Sequence, residues 1–452
     1  MAQIFVLNSA YGLMTAAAAI DAGEIPETPH RILLSVNAAL VPELGSGPGE
    51  LAFMSGLLRR FDQVVSLNDL IAPIPPTLWN PPESELPLLE RLLRTAWGLG
   101  SDDVELYLQS PQVSPSRALA SVFFAAPLTV IGDGLMTYSP IRDRLGRSIT
   151  GRMRAVAYAD VVPGVEPVLF TETGAVRVAV AADRMRAVLD EVAAAVADAR
   201  LDSLAASGSR TALVLGQYLA ELGLVTADEE QTMQLNMIGR ARALGAERVV
   251  FKPHPSAPPA IVDALAAHAR DTGLEWAMYS GPAPAEVLAL RLNTVGVVAG
   301  FSSALTSAHA VLGLPIASAG TELLLHRLDP FQNSNRVPVT IIDALTRKDS
   351  PYRSPARLQG LVDAVGYCMQ PMIMSHLRPR AERMLHSMDE AERQRYFSRR
   401  RLAELSLPGG RHTFFSRALT PTGDVTRTEE LRLTISGAQR RFGRAMKALQ
   451  GR

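Results

Sequence analysis

Short unbroken apolar runs, each followed by a stretch of helical patterning, recur along most of this chain, and that alternation leaves few folds open. "QIFVLNS", "RILLSVN", "QVVSLN", "DVELYLQ" and "LTVIGDG" fill the first third. Each is rich in β-branched residues and leucine and bounded by Gly, Asn or Asp, the pattern of strands covered on both faces in a parallel sheet. "DRMRAVLDEVAAAVADARL", residues 183–201, reads as one helix. Beyond the small polar "AASGSR" (205–210), a second series runs through "TALVLGQ", "ERVVFKPHP", "LEWAMYS", "TVGVVAGFSS" and "PIASAG", with helical segments between them. Regular strand–helix alternation with right-handed crossovers predicts Rossmann-like α/β layers.

At 452 residues the chain is too long for one ordinary core. The expected division is a Rossmann-like domain over 1–205, a second over 206–380, and a basic helical extension over 381–452. Two such domains facing across a cleft, followed by C-terminal helices, is the α/β architecture termed GT-B in glycosyltransferases. The extension is entered through "RPRAERMLHSMDEAERQRYFSRRRLAEL" (378–405), read as helical. It ends in an amphipathic helix with Leu431, Ile435, Ala438, Phe442, Ala445 and Leu449 on one face and Arg440, Arg441, Arg444 and Lys447 on the other. That helix reads either as a peripheral contact with an anionic membrane surface or acidic glycan, or as a last helix packing back on the first domain.

Charge and cysteine usage narrow the class. Lys plus Arg and Asp plus Glu each number 45, a balance that argues against a nucleic-acid coat. A single cysteine, Cys368, leaves neither a disulfide framework nor a zinc cluster. The opening residues lack the basic leader and apolar core of a signal peptide, and no run approaches the roughly 20 apolar residues of a membrane span. The expectation is a cytoplasmic protein, peripheral on the inner membrane face if the last helix docks there.

In open α/β sheets ligands bind beyond the carboxyl ends of strands. Lys252 and His254 stand there in "FKPHP", where Pro253 and Pro255 stiffen the backbone around the imidazole. The alternative is a histidine that caps a turn. Ser302 and Ser303 open a helix after a strand, and two hydroxyls beside free N–H groups suit one phosphate; an ordinary serine cap is the alternative. Glu286 opens another helix, either to accept from ribose hydroxyls or to complement the helix dipole. Asp133 lies between Gly132 and Gly134 at a first-domain strand end, presented to a ligand or held in an Asp-Gly turn.

An acid-glycine motif, then Lys-Pro-His-Pro, then a helix-opening Glu, then Ser-Ser, over about residues 131 to 303, resembles the bacterial GT-B sialyltransferases and most closely the α-2,8-polysialyltransferase-like family. The resemblance implies that His254 contacts the phosphate of CMP-sialic acid and acts as general acid toward departing CMP. It implies that Lys252 lines the cytidine pocket, that Glu286 bonds the ribose, and that Ser302 and Ser303 hold the phosphate. The acidic motif supplies the base that deprotonates the acceptor hydroxyl; Gly132 stands where the family usually has a first acid, so Asp133 alone carries that role. The implied partners are a nucleotide-sugar donor and an acceptor glycan or glycolipid, with no nucleic acid. A leaving CMP carries one phosphate, which a protonated histidine and hydroxyl and N–H donors suit, and no Asp-x-Asp pair lies near a strand end. The expectation is an inverting transfer with no cofactor and no metal. A nucleotide-binding protein that has lost transfer, or a transferase for another nucleotide sugar, are the competing readings.

Overall fold

The computed structural model describes residues 1–39, 45–253 and 259–410. His254 and the amphipathic helix read over 431–449 lie outside the described residues. Two all-parallel sheets organise the molecule. The first contains β1 (Ala2–Leu7), β2 (Arg31–Ser35), β3 (Gln63–Ser66), β4 (Val104–Leu108), β5 (Leu128–Ile131), β6 (Met153–Ala159) and β7 (Val176–Val180). Its order is β3-β2-β1-β4-β5-β6-β7. The second contains β8 (Thr211–Leu215), β9 (Arg248–Lys252), β10 (Glu275–Met278), β11 (Thr294–Ala299) and β12 (Ile316–Ser318), in the order β10-β9-β8-β11-β12. In both, the chain winds outward one way, returns to the first strand and winds the other way. That reversal opens a crevice between β1 and β4 and another between β8 and β11, where such sheets take ligands.

The strands are buried as their composition requires: all six residues of β1 and all five of β8 are buried. β6 and β7 escape the reading of apolar runs because arginine interrupts both "MRAVAYA" and "VRVAV". The helix expected over 183–201 is two, Ala182–Ala195 and Ala199–Ala206. The Asp198 carboxylate explains the break, accepting from the N–H groups of Arg200 and Leu201 as a cap; a helix-interior aspartate that can cap ends one helix and starts another. The arginine-rich 378–405 stretch likewise divides into Arg378–Ser387, Glu390–Tyr396 and Arg399–Glu404, with Asp389 and Ser398 capping the last two.

One apolar cluster joins the two sheets. It runs from Ile131, Leu135 and Tyr138 to Leu305, Val337 and Ile341. Residues read as a basic extension are part of it, including Leu385, Tyr396, Phe397, Leu402 and Leu407. The Pro355–Met369 helix, late in the chain, turns back to the first sheet's loops: the N–H of Glu166 donates to Gln359, and Gln370 donates to the carbonyl of Arg142. No helix among the described residues is long and apolar enough to cross a membrane.

Candidate active site

Five of the six residues singled out by sequence line one cleft of about 430 Å³ between the sheets: Asp133, Lys252, Glu286, Ser302 and Ser303. The sixth, His254, lies outside the described residues; Lys252, two positions before it, is on the cleft wall. Every one of the five follows or ends the carboxyl terminus of a strand, and the first domain adds Tyr11 and Met14 from the Ala10–Asp21 helix.

Asp133 leaves β5 with its amide donating to the Thr137 hydroxyl at 2.8 Å, while the Ser9 hydroxyl donates to its carboxylate at 3.3 Å. The residue is exposed toward the cleft. Desolvation by the surrounding walls raises its pKa, partly offset by the Ser9 hydrogen bond. Position 132 has no room for the missing first acid: a Cβ there would lie 2.7 Å from Thr137 Oγ1 and 2.9 Å from Tyr158 Cβ. Gly134 takes φ +52°, and a Cβ there would stand 2.6 Å from the Cβ of Ser303. Glycine is required on both grounds.

From the second domain, the Lys252 ammonium donates to the carbonyl of Gly281 at 3.0 Å and lies 5.2 Å from the centre of the Tyr279 ring. Tyr279 is itself fixed by donating to Asp198 at 2.7 Å. Burial lowers the Lys252 pKa and the Glu286 charge opposes that. Glu286, only 9% exposed, has its pKa raised by burial, against hydrogen bonds from its own backbone N–H and from Ser307 and the charge of Lys252. Tyr11 reaches across from the first domain to within 3.3 Å of the same Ser307 hydroxyl, and burial pushes its phenol far above its ordinary range.

Ser302 caps the Ser303–Leu312 helix, accepting from the N–H of Ala304 at 3.2 Å. Ser303 instead accepts from the N–H of Leu135, in the other domain, at 3.0 Å. Both hydroxyls keep a proton to donate. Gln217, at the end of β8, clamps the preceding turn by binding both the N–H and the carbonyl of Phe301. Sequence reading passed over Tyr11, Ser307 and Ser9. Ser9 and Tyr11 follow the end of β1 directly, so the strand-end rule alone reaches them. Ser307 becomes legible only once its helix is set against Glu286.

The cleft can bind an anion at the start of the Ser303–Leu312 helix, pair it with Lys252, and hold a carboxylate base opposite. Two doubly wound parallel domains meeting this way define the GT-B fold. The chain belongs to the Alpha-2,8-polysialyltransferase (POLYST) family, whose profile matches residues 3–321. No curated protein matches the sequence. Among solved structures it is similar to UDP-GlcNAc 2-epimerase from Methanocaldococcus jannaschii, at 9% identity and TM-score 0.41, covering 78% of this chain and 95% of that one. It is also similar to MurG from Acinetobacter baumannii, at 10% identity and TM-score 0.38, covering 87% and 98%. A third is a Thermobaculum terrenum O-GlcNAc transferase mutant, at 12% identity and TM-score 0.35, covering 87% and 67%.

Proposed function

We propose that this glycosyltransferase moves sialic acid, or a related nonulosonate, from its CMP-activated donor to a hydroxyl of an acceptor glycan with inversion. The observation that carries the reading is Asp133 facing Lys252, Glu286, Ser302 and Ser303 across one cleft. The CMP phosphate sits at Ser302 and Ser303, the ribose hydroxyls donate to Glu286, and Lys252 balances the phosphate charge. Asp133 takes the acceptor's proton as its oxygen attacks the anomeric carbon. The bond from that carbon to the phosphate oxygen breaks, its electron pair leaves with CMP, and His254 donates a proton to the departing phosphate.

A panel of CMP, UDP, GDP and TDP in thermal unfolding tests the donor. At a hundredfold excess over Kd a bound nucleotide adds about 2.7 kcal/mol of stability. CMP is expected to raise the melting temperature; a shift with UDP alone overturns the donor assignment. Because one phosphate leaves, the scheme uses no metal, and transfer is expected to survive EDTA. The packing that excludes an acid at position 132 favours a second reading, nucleotide binding without transfer. Incubation with CMP-N-acetylneuraminic acid and an α-2,8-linked oligosialic acid separates the two, since the second reading yields no elongated product.

A further inference from the structure

The turn after β1 holds a chain of hydrogen bonds whose directions are fixed. Gln109, 2% exposed at the end of β4, accepts on Oε1 from the N–H groups of Asn8 at 2.7 Å and Ser9 at 3.2 Å. Those two donors settle the amide's orientation, so Nε2 is the atom that donates to Ser9 Oγ at 3.0 Å. Ser9 Oγ also accepts from the N–H of Gly12 at 3.0 Å, as cap of the Ala10–Asp21 helix. A hydroxyl has two acceptor sites and one proton. Both sites are taken, so the proton has one direction left, toward Asp133 Oδ1 at 3.3 Å. Gly12 is part of the same construction, because a Cβ there would overlap the Gln109 amide at 2.2 Å.

We propose that Gln109 and Ser9 are positioning residues for the base: the buried amide forces the Ser9 proton onto Asp133 and so holds its carboxylate in place, aimed into the cleft. This rests on Asp133 being the base. A serine serving only as a helix cap needs neither the second acceptor bond nor the carboxylate.

The test is the pH dependence of kcat/KM with CMP-N-acetylneuraminic acid and an oligosialic acid acceptor. The other titratable groups in the cleft among the described residues are Tyr11 on the Ala10–Asp21 helix, Lys252 on β9 and Glu286 on the Ala285–Arg291 helix. All three are left in place. Ser9→Ala removes the donor, and the acid limb is expected to move to higher pH by about one unit, the size of one hydrogen bond to a charged group. Ser9→Thr keeps a hydroxyl and is expected to return the limb toward wild type. Gln109→Glu keeps the acceptor for both N–H groups but turns the Ser9 proton toward itself, and is expected to move the limb upward as well. Its added charge acts in the same direction. Gln109→Glu is therefore repeated in the Ser9→Ala background, where charge alone remains and a smaller shift is expected. Equal shifts in both backgrounds, or a limb unmoved by Ser9→Ala while Asp133→Ala abolishes transfer, overturn the inference and leave the base assignment standing. Transfer surviving in Asp133→Ala overturns the base assignment instead. Should Gln109→Glu fail to fold, the Ser9 pair decides alone.

Discussion

Asp133 and His254 divide the proposed chemistry between the domains, and they are expected to fail differently. Asp133→Ala removes the base without touching the donor side, so transfer falls while CMP affinity stays. His254→Ala removes the acid that assists CMP departure, at a cost on the order of 10²–10⁴ in turnover, with the melting temperature unchanged. Rate assays paired with CMP titration calorimetry check both, and normal transfer in both variants refutes the catalytic scheme. The lining of the candidate site was largely legible one residue at a time, because strand ends are visible in sequence and ligands gather there. What sequence could not supply was contact: nothing in "GFSS" says that Ser303 is bonded to Leu135, 168 residues away. Nor does "GDG" reveal that Thr137 and Tyr158 fill the space beside Gly132.

At the scale of elements, apolar runs between turn residues marked ten of the twelve strands among the described residues, most plainly where both faces are buried, as in β1 and β8. β6 and β7 stay hidden because Arg154 and Arg177 sit within them, and Arg177 turns its guanidinium to the carbonyls of Pro167, Ala175 and Leu169. The arginine-rich C-terminal stretch is helical as read, but some of its charges face inward, which the pattern does not show. Asp343, on the Arg336–Thr346 helix and 1% exposed, accepts from Arg395, Thr321 and Tyr396. Burial pushes its pKa up, but those hydrogen bonds outweigh burial and leave it below the ordinary carboxylate range. The unfolded chain therefore binds the proton more readily, so this stability is present above the unfolded pKa of about 3.9 and lost as pH falls through the native one. Asp343→Ala leaves Arg395 without its main partner and is expected to cost about 3–5 kcal/mol in urea unfolding at pH 7. The gap to wild type is expected to narrow below about pH 4; a gap independent of pH would show that lost packing, not the ion pair, carries the effect.

For the molecule as a whole, the two-sheet plan follows from strand–helix alternation, but the way the halves are joined does not. Ser139 and Arg142 from the first domain bond Ser334, and Gln370 bonds back to Arg142. Such contacts depend on three-dimensional closure, to which local patterning is blind. One of them has a practical use. The amide hydrogen of Leu135, at a residue 1% exposed, is held by a serine of the opposite domain. In deuterated water it exchanges when that contact opens, so its protection factor gives the free energy of breaking this contact between the halves. A donor bridging both walls is expected to raise the protection of this amide by a larger factor than that of the sheet-interior amides, which open only with the core. The enzyme thus carries, beside its own cleft, one amide whose isotope exchange weighs the closed state against the open.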